Sequence, residues 1–235
     1  MTDAVLRPGL THDPRLAAGF STRAYASADE PLDAVRARLA RGERFGAVAS
    51  VGQVHGSAVA VVREGGHVPA HDGLATDVPG LLLTVISADC ALVLLADPDA
   101  GVVGACHSGW RGTVAGVVGE TVRAMERLGA RAGRTRAFVG PCISAEAFEV
   151  GDEVAAHFPE TSVVRRPDWA RPHIDLRADL ARQLAEVGVT DVELSDACTA
   201  TETARFYSYR AEEGTTGRMV GFVGLRGAVE GTSGA

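Results

Sequence analysis

Lysine and asparagine are both absent from this 235-residue chain, so all 23 of its lysine-plus-arginine positions are arginine. With abundant alanine, glycine and valine, that pattern reads as a GC-rich coding bias, and it makes arginine a weak marker of function. An excess of positive charge is also missing. The formal net charge is -7, and nucleic-acid binders usually carry a basic footprint, so no nucleic-acid partner is expected. Four cysteines are present, Cys90, Cys106, Cys142 and Cys198, but none forms a Cys-x-x-Cys pair, which argues against a closed structural zinc finger. The N-terminal Met-Thr-Asp-Ala-Val-Leu-Arg-Pro lacks a basic segment followed by an apolar one, and no apolar run approaches the length of a bilayer span. These absences predict a cytoplasmic chain with reduced thiols and no membrane partner.

What is present is enough apolar material, 46% of residues, for one substantial core. No internal repeat or linker interrupts it. The expected organisation is one mixed α/β domain over residues 1–226, followed by a flexible Gly/Ser/Thr-rich tail over 227–235.

A strand is expected near Ala18–Thr22 and a helix over Leu32–Arg41. Strand-like Phe45–Val54 and Ala58–Arg63 flank a turn at His55-Gly56. A polar loop follows over Gly65–Gly73, carrying His67, His71 and Asp72. Leu81–Ile86, Ala91–Leu95 and Gly101–Ala105 are short apolar runs of the buried-strand kind. From Thr113 to Leu128 the apolar positions Val114, Val117, Val118, Val122, Met125 and Leu128 recur at helical spacing, and Gly129 stops them. Later elements are a strand over 135–139, a short helix over 150–158 and a helix capped by Asp175. A strand over 192–194 and a hairpin of Phe206–Arg210 with Met219–Leu225 complete the set.

The chemistry concentrates between Ser87 and Thr113. Cys90 falls at the break between two apolar runs, and His107 lies just past the third, in Cys-His-Ser-Gly-Trp-Arg-Gly. With His55 in its turn, these residues supply two imidazoles and a thiol. That set suits an open zinc site with water in the fourth position, and copper accepts the same ligands. A metal-free Cys90–His107 nucleophilic pair is the rival reading. Arg111 precedes the expected helix start at Thr113, where free amides and a guanidinium fork together favour an anion. Packing on Trp110 is its alternative role. Arg210 and Arg218 are secondary possibilities.

The motifs Gln53-Val-His55-Gly, Ala88-Asp-Cys90, His107-Ser-Gly-Trp-Arg-Gly-Thr113, Gly140-Pro-Cys-Ile143, Cys198-Thr199, Phe206-Tyr-Ser-Tyr-Arg210 and Thr216-Gly-Arg218 together resemble the laccase-domain family. This is the multicopper-polyphenol-oxidoreductase type, whose members are mostly described as purine nucleoside phosphorylases with adenosine deaminase side activity. The resemblance implies a layered αββα fold akin to cysteine hydrolases. It implies zinc, with copper as the other candidate metal, held by His55, Cys90 and His107, with Cys90 and His107 catalytic and Gln53, Asp89, Arg111 and Arg210 contacting substrate. The implied reaction is phosphorolysis of adenosine, inosine or methylthioadenosine to base and ribose 1-phosphate, with deamination of adenosine, in a monomer or small homo-oligomer. A copper phenol oxidase and a peptidoglycan-precursor hydrolase are the alternatives. Where family members carry a Gly-Gly-Val-Ser-type turn after Phe-Ser-x-Arg, this chain has Ala24-Tyr-Ala-Ser27.

Overall fold

The strands alternate side chains across two buried faces, and that alternation builds the layers. The computed structural model describes residues 4–227. In chain order the elements are β1 (Val5–Leu6), β2 (Leu16–Ser21), α1 (Leu32–Glu43), β3 (Ala47–Gly52), β4 (Val59–Val61), β5 (Gly66–Pro69) and β6 (Gly73–Thr76). Then come β7 (Leu81–Ser87), β8 (Ala91–Asp97), β9 (Val102–Ser108), α2 (Trp110–Val114), α3 (Val117–Glu126) and β10 (Arg136–Val139). The last are α4 (Asp152–Ala155), β11 (Val163–Val164), β12 (His173–Ile174), α5 (Leu176–Glu186), β13 (Asp191–Leu194) and β14 (Met219–Leu225).

Two six-stranded mixed sheets form, in the orders β1-β2-β14-β7-β3-β5 and β13-β10-β8-β9-β6-β4. On β8, Leu92, Leu94 and Ala96 enter the core between the sheets. Ala91, Val93 and Leu95 point the other way, under α3 and α5, where Val118, Val122, Leu180 and Leu184 meet them. On β7, Leu81, Leu83 and Val85 face the inter-sheet core, whereas Leu82 joins Val35 and Leu39 of α1. The result is a helix layer, two sheets and a second helix layer. Burying a leucine on this scale stabilises by about 1.5–3 kcal/mol each, so strands buried on both faces dominate the fold.

Four expectations need correction. The helix over 113–128 is two helices. Gly116 sits at φ +76, a left-handed conformation that breaks the run, so α2 begins at Trp110 with Gly109 as its cap. The Gly65–Gly73 loop contains β5, which pairs parallel to β3 and is tied to it by a 3.0 Å hydrogen bond between Ser50 Oγ and His67 Nδ1. The helix over 150–158 contracts to the single turn of α4. Phe206–Arg210 is not a strand, and no hairpin joins it to β14. The Glu212 carboxylate accepts from Ser208 N at 3.0 Å and Thr216 Oγ1 at 2.6 Å, holding this segment in turns. Of the expected tail, residues 228–235 lie outside the described residues.

Candidate metal centre and its cavity

β7 lies in the first sheet and β8 in the second, so Cys90 occupies the crossing between them. β8 and β9 pair antiparallel with Leu92 opposite His107 and Ala91 opposite Ser108. The register brings the end of β9 beside Cys90, and His107 is the penultimate residue of that strand rather than beyond it. His107 shares strand parity with Ala105 and Val103, and Cys90 with Leu92, so both point toward the layer between the sheets. His55 arrives from the link between β3 and β4, which also crosses from one sheet to the other. One donor atom from each of His55, Cys90 and His107 lies within 4.8 Å of the other two; this is the one such group among the described residues.

Asp72, immediately before β6, organises the cluster. It is fully buried. Its Oδ1 accepts from His107 Nδ1 at 2.8 Å and from His55 N at 3.0 Å. Its Oδ2 accepts from Val54 N at 3.1 Å and Gly56 N at 2.7 Å. The turn amides hold His55 at φ +62, unusual for a residue other than glycine. The bond to His107 Nδ1 leaves Nε2 as the donor facing the cluster. Burial raises the Asp72 pKa, but the His107 bond and the Gly56 and Val54 amides outweigh it and hold the carboxyl below its usual value. For His55, burial and then the neighbouring His107 push the pKa down, favouring the neutral imidazole that ligates metals.

Burial, followed by the Asp89 charge, pushes the Cys90 thiol up to about 12. A thiol in that state is protonated at neutral pH and is a poor nucleophile. No hydrogen bond joins it to His107 among the described residues, so the metal-free nucleophilic pair lacks its activating contact. A cation reverses this balance by stabilising the thiolate. The donor set fits zinc: tetrahedral bonds of about 2.0–2.3 Å require donor separations of roughly 3.3–3.8 Å, a small closure from the arrangement present. Gly109 makes room for the cluster. A Cβ there would lie 2.8 Å from Cys90 Sγ and 3.1 Å from His55 Cδ2.

The cluster forms part of the wall of a cavity of about 750 Å³. Trp110, Phe148 and Tyr209 supply aromatic walls, and Arg36, Arg111, Arg210 and Arg218 supply guanidiniums. Of the expected substrate contacts, Arg111 lies within the first turn of α2, its guanidinium stacked 4.2 Å from the Trp110 ring centroid. The expected helix start at Thr113 is therefore not its anion partner. Arg210 donates to the carbonyls of Ala147 and Glu149. Gln53 lines the cavity, but its amide is engaged at both ends with the backbone of Ile86. Asp89, at φ +87, accepts from Thr199 Oγ1 at 2.6 Å and Arg210 N at 2.7 Å. Gln53 and Asp89 thus line the cavity with side chains held by neighbouring residues. Sequence reasoning did not single out Asp72, Arg36 or His67. Asp72 and His67 carried only their place in a polar loop as a signal, and Arg36 carried none.

The fold and site define an α/β protein of two facing sheets, with an imidazole–thiol donor set at the sheet crossings of a cationic, aromatic-walled cavity. The chain belongs to the multi-copper polyphenol oxidoreductase laccase family, whose model matches residues 19–226. It is 42% identical over 215 residues to a protein named purine nucleoside phosphorylase from Deinococcus radiodurans, covering 88% of this chain and 83% of that one. It is 39% identical over 162 residues to a protein named adenosine deaminase RL5 from an unknown prokaryote, covering 66% and 61%. The structure of YlmD from Geobacillus stearothermophilus superimposes with a TM-score of 0.86 at 30% identity, over 97% of this chain and 98% of that one.

Proposed function

We propose that this protein is a zinc-dependent purine nucleoside phosphorylase that also deaminates adenosine. It would convert adenosine, inosine or methylthioadenosine and phosphate into free base and ribose 1-phosphate. The observation that carries the reading is the convergence of His55, Cys90 and His107 on the wall of a cavity sized for one small ligand. Relatives named for purine nucleoside phosphorylase and adenosine deaminase support the substrate class.

The residues divide the work by their chemistry. Trp110, Phe148 and Tyr209 offer flat faces for a purine. The guanidiniums favour a phosphate co-substrate and the charge that develops as the glycosidic bond breaks. Asp72 fixes the tautomer and direction of His107. His55, Cys90 and His107 would hold zinc, which supplies Lewis-acid polarisation and lowers the pKa of water at that point.

The test incubates the zinc-loaded protein with adenosine while phosphate is varied, scoring adenine and inosine separately. Adenine release should rise with phosphate, whereas inosine should form without it. Adenine release independent of phosphate refutes phosphorolysis. Oxidation of phenols by the copper-loaded protein, with neither nucleoside product, replaces this reading with that of a phenol oxidase.

A further inference from the structure

The cavity has a second bank. Along β3, Ala49 and Val51 face the other sheet, so Ser50 and Gly52 face the α1 side, as Val48 does. On β5, Val68 packs toward the inter-sheet core, which turns His67 to the α1 side. Arg218, just before β14, shares parity with Val220 and Phe222 of the α1-side cluster. Arg36 comes from α1 itself. All three line the same cavity as His55, Cys90 and His107.

This bank is cationic and incompletely partnered. Arg36 is 8% exposed. It bonds Asp33 through one terminal nitrogen at 2.9 Å, and its buried Nε has no partner. A buried guanidinium N–H without an acceptor is costly. Arg218 uses one nitrogen on the carbonyls of Thr216 and Gly217. His67 engages Ser50 through Nδ1, leaving Nε2 on the cavity side. A Cβ on Gly52 would sit 3.1 Å from that nitrogen. The cavity wall holds four guanidiniums and one carboxylate, Asp89, in a chain of net charge -7. The local field is opposite to that of the whole molecule and selects an anion.

We propose that Arg36, His67 and Arg218 form a phosphate-group subsite on the α1 bank, separate from Arg111. This deepens the phosphorylase reading and rests on it only for the role of the phosphate in turnover. Planar guanidiniums match phosphate oxygens two at a time. The ligand is inorganic phosphate or the phosphate of a nucleoside monophosphate.

Calorimetric titration with inorganic phosphate, without turnover, tests the subsite. Arg36→Gln and Arg218→Gln should each weaken phosphate at least tenfold, whereas Arg123→Gln, a surface control, should not. Arg36→Lys guards against misfolding of the buried variant and should fall between Arg36→Gln and wild type. Gly52→Ala should weaken phosphate with no change of charge. A second arm titrates adenosine monophosphate. Competition between it and inorganic phosphate identifies a nucleotide phosphate, and joint binding of phosphate with adenosine identifies the inorganic ion. Unchanged phosphate affinity in well-folded Arg36 and Arg218 variants overturns the subsite, as does loss confined to Arg111→Gln or no binding by wild type. A protein that binds phosphate through Arg36 but releases no adenine refutes phosphorolysis and keeps the subsite.

Discussion

One buried carboxylate, Asp72, holds three turn amides and the His107 imidazole together. Replacing it with asparagine keeps the shape but removes the charge and alters the acceptors. Losing a partner of this type usually costs 10–100-fold in metal affinity. Asp72→Asn should therefore lower zinc affinity within about that range in a competition titration with a chelating dye. An unchanged affinity would show that packing alone orients His107. A second carboxylate governs the segment that carries Tyr209 and Arg210. Burial raises the Glu212 pKa, but Arg23, Ser208 N and Thr216 outweigh it and bring it to about 2. The folded pKa lies below the ordinary value of 4.5, so the charged form stabilises the fold above that value. The contribution fades as pH falls from about 4.5 toward 2. Melting temperature measured across this range should drop less steeply in Glu212→Gln than in wild type; parallel curves would contradict the assignment.

At the scale of elements, the break between α2 and α3 sets the site. Had the helix run unbroken from Thr113, Gly109 would be loop and Trp110 would carry no fixed direction. Instead Gly109 caps α2 against the donor cluster, at ordinary dihedral angles, so a side chain there is excluded by space rather than by backbone strain. Gly109→Ala should fold, yet it should lose most of its bound zinc, because its Cβ would lie 2.8 Å from Cys90 Sγ. Metal analysis of the purified variant checks this, and a full zinc load would mean that the cluster relaxes freely. The segment from Phe206 to Thr216 makes the same point about length. Its apolar residues Phe206 and Tyr207 are buried, which imitates a strand. The hydrogen bonds of Glu212 make it a set of turns.

At the scale of the molecule, two of the three donors occupy links that cross between the sheets, His55 between β3 and β4 and Cys90 between β7 and β8. An ion bound there ties the sheets together only in the folded state, so it stabilises by mass action, by about 2.7 kcal/mol at a hundredfold excess over Kd. Zinc should raise the melting temperature of wild type and of Cys142→Ala, and should leave that of Cys90→Ala unmoved. Cys142 is a fully buried packing residue, and its loss should lower the baseline without removing the zinc response. A full zinc response in Cys90→Ala would remove the thiol from the ligand set.

The pattern of apolar runs was enough to read a mixed α/β domain with reactive side chains at the ends of its strands, whereas the layered order and the donor set followed from the family resemblance. Runs such as Leu81–Ile86 and Ala91–Leu95 are apolar at successive positions, and their shortness and flanking turn residues favour strands buried on both faces. Reactive side chains at the ends of such runs mark the sheet edge. Tertiary structure alone decided which residues meet. The crossing of β7 into β8, the register of β8 on β9 and the left-handed turn at Gly116 are long-range or single-residue events with no periodicity to read. They turned Asp72, Arg36 and His67 from unremarkable polar residues into the walls and supports of one cavity. Periodicity records which face of an element is buried, whereas a site is made where faces of different elements converge, and that depends on register and chain crossing.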